Sequence, residues 1–378
     1  MAGCAVANDV SAKLSRAAAV DDAGAGGERA VAAWLFICCA IVFAIVVVGG
    51  ITRLTHSGLS ITEWQPIVGT LPPLSDAAWE DVFAKYRETP EFRQVNHAMT
   101  LAEFKGIFWW EYVHRLLGRI IGVVFLVPLV WFIVRRRIPP GYAWPLAGIF
   151  ALGALQGALG WYMVQSGLVD GPRVSQLRLA AHLGLALLIF AAMFSLALSL
   201  LHPVSESQPS ANAPPSRRAD ALRRFALLIV ALVFVQAISG SLVAGIRAGF
   251  AYNTFPMMNG RLVPEEILSL APWYRNFADN MATVQFDHRA IAWLLALLIP
   301  VFWLFVRSQT TAVRVTLAAN LLLAALLLQI VLGIATLLLV VPVPLAAAHQ
   351  AGAVLLFAAA LHAAHALRIR AGGQEERA

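Results

Sequence analysis

The sequence predicts an all-α integral membrane protein, with eight transmembrane helices arranged as two tandem four-helix bundles. A pseudo-two-fold axis along the membrane normal relates the bundles. Three observations carry this. Hydrophobic residues make up 60% of the 378-residue chain and charged residues only 13%, where about a quarter is usual for a soluble chain. The apolar residues fall in eight blocks of about the 20 residues that a spanning helix needs. Motifs of the first half also return in the second at a nearly constant spacing.

Taken in order, residues 1–31 are rich in Ala, Gly and charge and read as a disordered cytoplasmic tail. No compact apolar run and cleavage site follow its basic residues, so it does not read as a signal peptide. The apolar blocks are 32–51, 114–134, 144–164, 179–201, 224–245, 288–307, 314–338 and 346–367. They define an N-terminal half over 32–201 and a C-terminal half over 224–367. A cytoplasmic linker over 202–223 joins the halves, and a short cytoplasmic tail spans 368–378. The polar stretch 52–110 holds Pro66, Pro72, Pro73 and Pro90 among many charges. It reads as a long outer loop with short amphipathic helices, and 247–287 as its shorter counterpart.

Orientation follows from the cations of the short connections. Arg135, Arg136 and Arg137 follow the second block, and Arg217, Arg218, Arg223 and Arg224 lie between the fourth and fifth. Arg307 and Arg314 flank the next turn on that side, and Arg368 and Arg370 follow the last block. That side is read as the cytoplasm, which puts both termini there, in a bacterial inner membrane. The net charge of +7 belongs to this topology and not to nucleic-acid binding. Membrane lipid is the surrounding partner, and a homo-oligomer is left open. Of the three cysteines, Cys4 is in the tail and Cys38 and Cys39 are adjacent in the first block. They read as small apolar fillers, and the outer loops have no thiol.

The repeat brings out the chemistry. EYVHR at 111–115 matches QFDHR at 285–289, LQGALG at 155–160 matches LQIVLG at 328–333, and AAHLGLALLIF at 180–190 matches AAHQAGAVLLF at 347–357. THSGLSIT at 55–62 resembles IRAGFAYNT at 246–254 around Gly58 and Gly249. His114 and His288 are 174 residues apart, Gln156 and Gln329 are 173, and His182 and His349 are 167. Four helices per half is an even number, so both halves share one orientation.

Four of the nine histidines, His114, His182, His288 and His349, therefore occupy repeat-related positions. Each starts an even-numbered block, close to the outer face. Ionisable groups in a spanning segment are costly and usually face the bundle interior with a partner. Facing imidazoles suit axial ligation of haem iron, which gives one haem site per half; interhelical hydrogen bonding is the plainer alternative. Zinc or copper is less well served, because clustered Cys, Met or carboxylate co-ligands are missing. His56, His97, His202, His362 and His365 read as surface or interfacial residues.

The halves differ at one place. Glu111 stands one turn before His114 on the same helix face, and its counterpart before His288 is Gln285. A carboxylate can act as a base or stabilise developing positive charge, and an amide cannot act as a base. Chemistry is thus expected in the N-terminal half and electron carriage in the other, with a pairing of Glu111 to Arg115 or Arg119 as the structural alternative. Arg115 and Arg289 are candidates to pair with haem propionates, or else to snorkel to the interface. Gln156 and Gln329 could support the ligands or join helices; Gly157, Gly160 and Gly333 beside them permit close helix approach.

Over most of 33–367 the chain resembles the haem A synthase family. The resemblance lies in GGITRLTHSGLSITEWQPIVGTLPPL at 49–74, EFKGIFWWEYVHRLLGR at 103–119, GSLVAGI at 240–246, YNTFPMMNG at 252–260 and QFDHR at 285–289. It is similar to the branch of mitochondria and alphaproteobacteria, and lacks the cysteine pair known from the first outer loop of the other branch. The resemblance implies oxidation of a methyl substituent of haem O to the formyl group of haem A, for terminal oxidase assembly. It implies His288 and His349 as ligands of a haem b cofactor, His114 and His182 as ligands of the substrate haem O, and Glu111 as the catalytic carboxylate. Haem O synthase and oxidase assembly factors are the implied partners. The competing expectations are a di-haem b membrane electron-transfer protein and a haem transporter. A transmembrane carrier needs haems at two depths, and a transporter needs polar groups at mid-membrane, where this chain has almost none.

Overall fold

A computed structural model describes residues 2–65, 68–202, 217–309 and 312–368. Among the described residues all regular structure is helical. The helices are α1 (Ala2–Leu54), α2 (Asp76–Arg87), α3 (Pro90–Gln94), α4 (Leu101–Val134), α5 (Ala143–Gln165) and α6 (Gln176–Leu201). They continue with α7 (Arg217–Gly245), α8 (Asn276–Asp279), α9 (Met281–Gln309), α10 (Val313–Leu338) and α11 (Val343–Arg368). Eight of them are long and apolar enough to cross a membrane: α1 through its part Gly26–Leu54, then α4, α5, α6, α7, α9, α10 and α11. This agrees with the eight blocks.

The neighbours of each helix follow the repeat. In the first half α1 packs on α4 and α6, and α5 on α4 and α6; in the second α7 packs on α9 and α11, and α10 on α9 and α11. The halves meet where α6 touches α7 and α11 and where α1 touches α11. Exchanging α1 with α7, α4 with α9, α5 with α10 and α6 with α11 maps this set of neighbours onto itself. One apolar core runs through both halves, from Leu35 and Leu146 to Leu187, Ile229, Ile299 and Leu322. Val123, Val127, Leu297 and Val331 lie exposed on the outward faces, as lipid-facing positions do.

Several boundaries differ from the sequence reading, the start of α9 at Met281 and not 288 among them. Helix α4 starts at Leu101, well before the apolar block at 114, because Thr100 and Glu103 form a capping box and so satisfy the first free amides of the helix. The extra turns are amphipathic, so a hydropathy window misses them. Their aromatic face packs Phe104, Phe108 and Tyr112 against Trp79, Phe83 and Tyr86 of α2. The tail expected to be disordered over 1–31 is instead continuous with α1, and Val31 is already fully buried; its many alanines are strong helix formers. Of the linker expected over 202–223, residues from Arg217 on belong to α7, and 203–216 lie outside the described residues. Of the tail at 368–378, only Arg368 is described, as the end of α11.

Candidate haem-binding site

Each of the four repeat-related histidines is seated on a glycine of the preceding membrane helix. A Cβ at Gly49 of α1 would stand 2.7 Å from His114 Cε1, and one at Gly160 of α5 would stand 2.9 Å from His182 Cε1. The same atom would be 3.1 Å from His288 Cε1 at Gly240 of α7, and 2.8 Å from His349 Cε1 at Gly333 of α10. Only glycine leaves room for an imidazole this close to a helix backbone.

Three of the four seats carry a second part, one helical turn inward. Gln156, Gln236 and Gln329 each lie four residues before the glycine. Their amide nitrogens donate to the backbone carbonyls of His182 at 2.9 Å, His288 at 3.1 Å and His349 at 2.9 Å. The fourth seat has Ile45 at that place. The repeat pointed to Gln156 and Gln329. Gln236 was missed because its helix pairs with α1, where the motif is broken. The spacing Gln-x-x-x-Gly, read three times along the chain, would have found it. Ser239 also contacts the His288 ring, 2.8 Å from Nδ1.

A buried polar atom without a partner is uncommon, and here the Nδ1 atoms of His114, His182 and His349 are all buried and unpartnered. The four histidines are only half-buried. Imidazoles that are partly accessible, three of them with an unpartnered Nδ1, fit the donor chemistry of a haem site. Among the described residues no three His, Cys, Asp or Glu side chains gather as a metal cluster.

Glu111 is 2% exposed and fully engaged. Its Oε2 accepts from the Ser60 hydroxyl at 2.7 Å and the Ile61 amide at 2.8 Å, and its Oε1 accepts from Arg115 Nε at 2.9 Å and Nη2 at 2.6 Å. Gln285 stands in the same frame in the other half, donating to the Ala248 carbonyl at 2.8 Å and accepting from Arg289 Nη2 at 3.0 Å. Both arginines, candidates to pair with haem propionates, also bond the protein itself. Arg115 also donates to the Ile61 and Glu63 carbonyls, and Arg289 to those of Tyr252 and Thr254. Both guanidiniums thus pin the start of an outer loop to the helix that carries the histidine.

Where the halves meet at this end, His56 and Arg247, which are repeat-related, touch through Arg247 Nη2 at 2.7 Å from His56 Nδ1. Partial burial, then the charges of Arg247, Arg53 and Arg173, hold the His56 imidazole below its usual pKa. Gln350, next to His349, reaches across to donate to the Val46 carbonyl of α1 at 2.7 Å. Its repeat counterpart is Leu183, so this tie exists once. His97 is exposed as expected, whereas His365 is buried near the C-terminal end of α11.

Fold and site together define a multi-pass helical membrane protein with a doubled set of half-buried histidines, each seated on a glycine. Comparison with known proteins gives the family. The model of the cytochrome oxidase assembly protein family (COX15-CtaA) matches residues 32–361, and the chain belongs to that family. It is 58% identical over 341 residues to the heme A synthase of Nitrosospira multiformis, covering 90% of this chain and 94% of that one. It is 57% identical to that of Nitrosomonas eutropha, covering 91% and 95%, and 49% identical to that of Rhodospirillum centenum, covering 91% and 90%.

Proposed function

We propose that the chain is a haem A synthase of a bacterial inner membrane, with both termini cytoplasmic, and that it oxidises a methyl substituent of haem O to a formyl group. The observation that carries the reading is the one difference in ionisable chemistry beside the histidines of the two halves. Glu111 supplies a buried carboxylate beside His114, and Gln285 supplies a neutral amide beside His288. His114 and His182 would hold the substrate haem, and His288 and His349 a resident haem b. When bound, haem b supplies one-electron redox chemistry.

The protein's own part is positioning and electrostatics. The glycine seats set where each imidazole stands. Glu111 would place its carboxylate where positive charge develops on the substrate, and Arg115, Ser60 and the Ile61 amide hold it oriented. The Nη groups of Arg115 and Arg289 already donate to loop carbonyls, whereas Arg289 Nε is buried without a partner. Haem O synthase and oxidase assembly factors are the partners that supply of substrate and delivery of product require.

The test is co-expression with a source of haem O, followed by chromatography of the extracted haems. Glu111→Gln is expected to keep its haems and lower haem A formation by at least about a hundredfold. The variant should fold, because the other half already runs a glutamine in this frame with an arginine partner. Haem A at the wild-type level in Glu111→Gln would remove Glu111 from the chemistry.

A further inference from the structure

The four histidine seats are not equally built. In three, the ligand is held twice: the glycine takes the ring, and the glutamine one turn inward bonds the histidine's own backbone carbonyl at 2.9–3.1 Å. This fixes both the imidazole and the stretch of helix that presents it. In the fourth, Gly49 takes the His114 ring and the Ile45 backbone meets it, but the Ile45 side chain has no donor to offer the His114 carbonyl. Helix α1 is tied to α4 further out, by the Thr52 hydroxyl on the Trp110 carbonyl at 3.1 Å, and further in, by the Trp34 indole on the Val124 carbonyl at 2.8 Å. The level of His114 lies between these ties. At that level α1 accepts a side-chain amide from the other half, Gln350 on the Val46 carbonyl, and meets the His114 ring itself through the Ile45 backbone.

We propose that Ile45 makes His114 the releasable axial ligand, so that the N-terminal site exchanges its haem while the Gln236- and Gln329-held site keeps its own. The assignment of substrate and resident haem rests on the functional reading above; the difference in ligand support does not. Groups that orient a metal ligand typically change metal affinity by about 10- to 100-fold when removed. A carbonyl held by an amide donor cannot shift with its helix without breaking that bond, and His114 alone is spared the cost. A site that takes in a substrate haem and lets the product go needs one ligand that lets go.

The experiment uses the full-length, haem-loaded protein in detergent and follows haem loss to excess apomyoglobin as a scavenger, with the lost and retained haems identified by chromatography. In wild type, one haem should leave at least about tenfold faster than the other, and His114→Ala should abolish the fast phase only. Ile45→Gln, which completes the fourth seat, should slow the fast phase about tenfold. Gln236→Leu should speed the slow phase by a similar factor. The proposal is overturned if Ile45→Gln binds both haems and loses them at wild-type rates, or if the fast phase belongs to the site of His288. It is equally overturned if Gln236→Leu keeps the slow phase unchanged. Failure of the functional reading looks different: the two phases respond as described, but no haem A is made from haem O.

Discussion

The precision of the site resides in atoms that the glycines lack. With an imidazole carbon 2.8 Å from where a Cβ would be, Gly333→Ala forces His349 to shift, since non-bonded carbons approach to only about 3.5 Å. The expected outcome is loss of the C-terminal haem, seen as about half the Soret absorbance per polypeptide. Gly122→Ala on the open face of α4, where nothing lies within 4 Å, keeps both. A second residue-scale prediction concerns Glu91, buried at 4% exposure in the outer loop beside the Tyr86 hydroxyl. Burial first, and the charge of Glu111 to a lesser extent, raise its carboxyl from 4.5 to about 7, against lowering by the Tyr86 hydrogen bond and Arg247. The fold therefore favours the protonated form. Its contribution is full below about pH 4.5 and is lost as pH rises towards 7, by up to about 3 kcal/mol. Amide exchange of 76–94 should quicken over that window, and Glu91→Gln should flatten the profile. The histidines, Glu111 and Gln285 were legible in the sequence because each is a chemical type repeated or pointedly not repeated. The glycine seats were not, because a glycine in a membrane helix carries no mark of which ring fills its space.

At the scale of elements, the apolar blocks were legible because about 20 residues without charge have few other destinations than a membrane. Their ends were not. Helix α4 passes from lipid-length apolar sequence into an amphipathic stalk, held by a capping box and by an aromatic cluster with α2. Neither leaves a trace in a hydropathy average. The stalk carries Glu111 at the level where Ser60 and Ile61 of the same outer loop reach it, so the packing of the loop bears on the carboxylate. Phe104 is fully buried in that cluster. Phe104→Ala is expected to cost about 3–5 kcal/mol of local stability, with Thr100→Ala at the cap costing about 1 kcal/mol. Limited proteolysis between residues 76 and 100 should speed up strongly in the first and modestly in the second. The visible spectrum of the C-terminal haem should stay unchanged in both.

At the scale of the molecule, the two halves are joined by contacts that the repeat itself hid. Matching the halves shows what they share, and a seam between near-copies depends on where they differ. His56 faces Arg247 although the two are repeat-equivalent, and Gln350 crosses to α1 where its counterpart Leu183 cannot. Gly50 makes this crossing possible, since a Cβ there would collide with the Gln350 amide. Gly50→Ala should therefore lower the thermal midpoint of the loaded protein, by an overpacking cost of about 1–3 kcal/mol, despite the helix propensity that alanine adds. Gln350→Ala alone removes one hydrogen bond, worth about 1 kcal/mol, and leaves the Val46 carbonyl its helical partner. In the double variant the collision is gone, so its cost should be less than the two single costs added together, a coupling of at least about 1 kcal/mol. Strict additivity would mean that Gly50 and Gln350 do not meet, and the seam would then have to be held elsewhere.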